Sequence, residues 1–121
     1  MEFFIKKNTT LPLLKMQVIN DGRFEFNTFM ELLETATITF SMKNEKNGVI
    51  KLSNKRAFIT NKTNLNPNAP NEYYIYYRFS NKDTNKEGRY VGQFLINTKI
   101  GTLICPLREE LFINVDETIK Y

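Results

Sequence analysis

Residues 36–42 read Ala36-Thr37-Ile38-Thr39-Phe40-Ser41-Met42, apolar and polar in strict alternation. In an extended chain successive side chains point to opposite faces, so Ala36, Ile38, Phe40 and Met42 share one side and Thr37, Thr39 and Ser41 the other. No helical face collects either set. The stretch predicts a strand with one side buried.

The same period recurs on both flanks. Leu14, Met16 and Val18 alternate with Lys15, Gln17 and Ile19 inside a strand read from Leu11 to Ile19, closed by the turn signal Asn20-Asp21-Gly22. Phe3 to Lys6 forms a short extended segment before it. Downstream, Asn47-Gly48 turns the chain into Val49–Leu52, and Ala57–Thr60, Tyr73–Phe79, Arg89–Ile96, Thr102–Cys105 and Leu111–Val115 read as further strands. Thr28-Phe29-Met30-Glu31 fits a capping box, which predicts one short helix over 28–34. The Asn- and Pro-rich run 61–71 reads as a loop. About seven to nine short strands with regular turn signals predict an all-β, antiparallel sandwich forming a single domain over 1–121. A sandwich is preferred to a barrel because strict alternation leaves one face of many strands wet.

Composition bounds the chemistry. At 121 residues, 41% hydrophobic and 25% charged, the chain has material for one packed core. It has no histidine and a single cysteine, which removes Ser/His/Asp and Cys/His mechanisms, disulfides within the chain and Cys-rich zinc sites. Cys105, between Ile104 and Pro106, reads as a buried structural thiol. Glu109 and Glu110 are adjacent and so face opposite ways on a strand, unlike a glycosidase pair. The five glycines are scattered along the chain rather than gathered into a phosphate loop. The expectation is a non-enzymatic protein without cofactor or metal. Neither a signal peptide nor a membrane span is read, which predicts a soluble protein made in a cytoplasm.

Charge is unevenly spread around a net +4. Lys43, Lys46, Lys51, Lys55, Arg56 and Lys62 stand against Glu45 alone, whereas Glu109, Glu110, Asp116 and Glu117 occur with no base between them. A contact between the basic 43–62 region of one copy and the acidic 109–117 end of a neighbour is one way to build a ring. Lys51, Lys55 and Arg56 are its candidate cations.

In the run Tyr73-Tyr74-Ile75-Tyr76-Tyr77-Arg78-Phe79, one strand face holds Tyr73, Ile75, Tyr77 and Phe79 and reads as core. The other holds Tyr74, Tyr76 and Arg78. That face is read as a cross-strand aromatic ladder, with a protein interface and a stacking site for nucleobases or sugars as the alternatives. Phe3, Phe4 and Ile5 are the candidates for pairing with another subunit's sheet edge or for completing this one.

"FFIKKNTTLPLLKMQVINDGR" (3–23), "ATITFSMKNEKNG" (36–48), "YRFSNKDTNKEGRYVGQF" (77–94) and "LFINV" (111–115) together resemble the N-terminal domain of tailed-phage baseplate upper proteins. The shared landmarks are Lys6, Lys7, Leu11, Pro12, Met42, Lys43, Asp83, Thr84, Gly88, Arg89 and Tyr90. The resemblance implies an immunoglobulin-like sandwich acting as a docking module in a virion, in contact with other virion proteins and with copies of itself. It departs from the pattern at the 28–34 helix and the long 61–71 loop. Baseplate upper proteins also continue into a region that holds receptor-binding proteins, so the expected role here is a connector, tail, neck, baseplate or head-decoration subunit. From the residues alone, Gly88 is expected at positive φ, Arg89 to solvate a strand end, and Asp83 and Thr84 to serve their own turn. The alternative function is single-stranded nucleic-acid binding by a small barrel, with carbohydrate binding on Tyr74 and Tyr76 as a third.

Overall fold

A computed structural model describes residues 1–18, 31–62 and 72–117, with the side chains of 61, 62 and 72 excepted. The strands are β1 (Glu2–Lys6), β2 (Leu14–Val18), β3 (Thr37–Asn44), β4 (Ile50–Arg56), β5 (Phe58–Lys62), β6 (Glu72–Tyr77), β7 (Gly88–Thr98), β8 (Gly101–Cys105) and β9 (Leu111–Asp116). Residues 31–34 form a helical turn. The capping-box residues Thr28, Phe29 and Met30, the turn at 20–22 and the part of the loop at 63–71 lie outside the described residues.

One sheet runs β1-β9-β7-β3-β4 and the other β2-β6-β5. The long strand β7 gives one edge to β3 and shares the other between β9, against 88–92, and β8, against 94–98. With β8 and β9 taken as one interrupted strand, this is the arrangement of a variable-type immunoglobulin sandwich: strands B, E and D face strands G, F, C and C′. Every ladder is antiparallel except β1 with β9, because the first strand has crossed to lie beside the last.

Both inner faces follow the period-two pattern. Leu14, Met16 and Val18 on β2 and Tyr73, Ile75 and Tyr77 on β6 meet Ile38, Phe40 and Met42 on β3 and Tyr90, Phe94 and Ile96 on β7. Phe40 is the hub. Its ring lies 4.9 Å from Tyr77 and 4.9 Å from Phe94, with Phe79 edge-on at 5.9 Å. Gly92, its neighbour on β7, leaves the room this ring needs: a Cβ there would stand 2.8 Å from Phe40 Cζ and 2.6 Å from Ile113 Cδ1. Both of those side chains are fully enclosed. Gly92→Val is therefore expected to destabilise the fold by about 1–3 kcal/mol through overpacking, read as a lowered denaturant midpoint at unchanged slope.

β4 is an irregular edge. Phe40 pairs with Lys55 and Met42 with Leu52, so two residues oppose Ser41; Lys43 then pairs with Ile50, leaving Lys51 as a second extra residue. Asn54 occupies the first bulge at φ 51, and its N–H donates to Ser41 Oγ at 2.8 Å. At Ala57, which is buried and donates its N–H to Ile38 O at 2.9 Å, the chain crosses into the second sheet. The strand thus runs well past Leu52, where the alternation is lost to these bulges.

The turn from β6 to β7 ties the two sheets together. Asp83, buried, accepts the Tyr77 hydroxyl at 2.6 Å and the Ser80 N–H at 2.8 Å through Oδ2. Thr84, fully buried, does not serve its own turn: its hydroxyl donates to Thr9 O at 2.8 Å, and its carbonyl accepts from Asn8 N–H at 2.9 Å. Together they pin the chain between β1 and β2. Gly88 has φ 148, and Tyr90 donates its hydroxyl to Lys86 O at 2.9 Å, the tyrosine-corner contact of immunoglobulin-like sandwiches.

These buried acids respond to alkali. Burial, then the hydrogen bond to Asp83 and its charge, holds the Tyr77 phenol far above its ordinary 10.0. Burial also raises Tyr90 and the Cys105 thiol. In each case the folded state favours the protonated form, so it keeps protons that the unfolded chain has released above pH 9 to 10. Stability is complete below that range and declines as pH rises through it. Tyr77→Phe removes the largest contribution, so its stability is expected to fall less steeply between pH 9 and about 11, measured by denaturation at each pH.

Candidate docking surfaces

The outer face of the β2-β6-β5 sheet carries the aromatic side of the tyrosine run. Tyr74 and Tyr76 stand there beside Phe58, which pairs with Tyr76 across β5 and stacks on it at 5.5 Å and 28°. Lys15 Nζ lies 5.5 Å from the Tyr74 ring, and Arg56 lies 5.3 Å from the Phe58 ring. Cations over ring faces gain from the quadrupole, and tyrosine and arginine are enriched at interface centres. Arg78 is exposed just beyond β6. The ladder read from the sequence is present, and it has a member that was missed: Phe58 is 41% exposed. Its signal lay in the pairing of β5 with β6, which no local pattern announces.

Arg56 also ends β4, whose Lys55 is exposed and whose Lys51 donates to Asn85 Oδ1 at 2.6 Å. Arg56 alone of these cations is seen against the aromatic face, at the β4–β5 crossing. The chain matches no family model, no curated protein and no solved structure.

The acidic end is divided. Glu109 and Glu110 precede β9 while Asp116 and Glu117 close it, so the two pairs stand about 20 Å apart at opposite ends of a six-residue strand. They do not make one patch. Glu109 Oε2 is also 3.4 Å from the N-terminal ammonium of Met1.

Of the N-terminal candidates, only Phe4 is open, at 60% exposure. Ile5 is buried in the core and Phe3 turns inward to stack on Phe79 at 5.9 Å, so neither side chain is offered to a partner. The strand itself completes this sheet. Beside it Arg89 does more than solvate a strand end: its Nη2 donates to Glu2 Oε1 at 2.8 Å, its Nε lies 3.6 Å from Glu45 Oε2, and its guanidinium covers the Phe112 ring at 3.8 Å. Cross-strand stacking of an outward arginine on an outward aromatic explains the difference.

Among the described residues no group of His, Cys, Asp and Glu could hold a metal ion, and no helix is long and apolar enough to cross a membrane. Cys105 is buried with its thiol pushed up, a poor nucleophile.

Proposed function

We propose that the protein is a multicopy structural subunit of a tailed-bacteriophage virion, acting as an adaptor that binds other virion proteins through its outer sheet faces. The observation that carries this reading is the cationic, aromatic surface of Tyr74, Tyr76, Phe58, Lys15 and Arg56, held rigidly on a three-stranded sheet. A flat face of this composition suits a protein partner: large rings supply contact area at low entropic cost, and the cations set register. The resemblance to baseplate upper proteins favours it, and of its landmarks Asp83, Thr84 and Tyr90 make hydrogen bonds that lock the sandwich.

Purified particles test the reading. The chain is expected to co-sediment with them at a fixed number of copies per particle, measured by quantitative mass spectrometry; loss during purification would sink it. Reversing Lys51, Lys55 and Arg56 to glutamate is expected to lower incorporation about tenfold or more, because like charges then meet across the contact. Unchanged incorporation removes β4 from the interface. The ring contact predicted between 43–62 and 109–117 can use only one of the separated acid pairs at a time.

Single-stranded nucleic-acid binding is the second reading, favoured by the same rings and cations. The barrel form of it does not hold, because the two sheets are separate. A steep loss of oligonucleotide binding with salt supports that reading, and no binding at low salt removes it.

A further inference from the structure

We propose that the edge of β1 away from β9, on which no described strand pairs, pairs antiparallel with β1 of a second copy, across a two-fold axis at Phe4. The contact stands whether or not the chain is a virion subunit.

The backbone geometry identifies the groups on offer. Phe112 N–H donates to Met1 O at 2.9 Å and Lys7 N–H donates to Asp116 O at 2.7 Å. In a parallel ladder the bonds of one strand fall on alternate residues, so the odd residues of β1 are committed to β9. Glu2, Phe4 and Lys6 therefore aim their N–H and C=O groups away from the sheet. Lys6 O is already taken by Thr9, through Oγ1 at 2.6 Å and N–H at 3.2 Å. The remaining groups form four bonds in an antiparallel pair: Phe4 N–H to the second Phe4 O, Lys6 N–H to the second Glu2 O, and the two symmetry equivalents.

Side chains choose the occupant. Centred on Phe4, antiparallel pairing sets Glu2 opposite the second copy's Lys6, Lys6 opposite its Glu2, and the two exposed Phe4 rings opposite each other. The strand is its own electrostatic complement, as an isologous contact requires. On the inner face Phe3 comes opposite Ile5, which extends the core across the seam. By contrast the other edge of this sheet, β4, has two bulges and a row of cations, features that discourage strand addition. β1 pairs with β9 without a register break.

Sedimentation equilibrium on the full chain tests this, together with residue-resolved amide exchange. The expected result is a monomer–dimer equilibrium in which Phe4 and Lys6 amides gain protection with concentration, while Phe3 and Ile5 do not change. Glu2→Lys and Lys6→Glu are each expected to weaken the dimer about tenfold or more, and an equimolar mixture of the two is expected to restore it as a heterodimer. That rescue separates the contact from misfolding and from loss of the Glu2–Arg89 pair. Phe4→Pro, which removes an outward N–H without touching the β1–β9 ladder, is expected to abolish dimers while leaving the monomer folded. A monomer at every concentration overturns the proposal, as does a dimer whose affinity these substitutions leave unchanged.

Discussion

Phe40→Ala is expected to destabilise the protein by about 3–5 kcal/mol, a large part of what holds a domain of this size together. Phe40 belongs to β3 in one sheet yet packs on Tyr77 in the other, so its removal opens a cavity at the joint between the layers. Phe94 and Tyr77 are ring neighbours held in the two sheets, and Phe79 is held just beyond β6, so none can collapse far into the gap. Gly92 supplies an internal check. Because a Cβ at Gly92 would collide with the Phe40 ring, Gly92→Val is expected to cost less in the Phe40→Ala background than alone. Chemical denaturation of the four proteins measures the coupling. Additive losses would mean that Gly92 does not make room for this ring.

Asp83→Ala is expected to cost about 2–4 kcal/mol, although it removes only a small side chain from a turn. Its carboxylate is the acceptor for both the Tyr77 hydroxyl and the Ser80 N–H, and truncation leaves two buried or half-buried donors without that partner. Asp83→Asn keeps an acceptor oxygen and is expected to lose less. Tyr77→Phe in the Asp83→Ala background removes the stranded hydroxyl and is expected to recover part of the loss. The next residue, Thr84, holds Thr9 and Asn8. Loosening the turn is therefore also expected to speed amide exchange at Asn8, which hydrogen exchange measures directly.

The sequence was most legible where one strand face is buried. Ile38, Phe40 and Met42 on β3, and Tyr73, Ile75, Tyr77 and Phe79 on and beyond β6, lie inside as their period requires. Boundaries were less so. β2 begins at Leu14 rather than Leu11, since Pro12 lacks a donor, and β6 ends at Tyr77 although Phe79 still points inward. Pairing across the fold was not legible at all. Nothing local to β1 states that its partner is β9, that β4 bulges at Lys51 and Asn54, or that Asp83 meets Tyr77. The surfaces divide in the same way. Tyr74 and Tyr76 were readable from alternation, whereas Phe58 and the Arg56 that covers it become part of that face only once β5 is placed beside β6. The acidic run showed the reverse error: continuity in sequence concealed separation along a strand.

A closed core of rings and aliphatic side chains underlies the faces and edges proposed to meet other subunits. An electron cryo-microscopy reconstruction of the purified particle tests this most directly. The predicted result is several symmetry-related copies of a two-sheet sandwich in the tail, neck, baseplate or capsid surface, with the Tyr74, Tyr76 and Phe58 face against a neighbouring protein. Particles that contain no copy of the chain, or copies whose sheet faces all meet solvent, would contradict it.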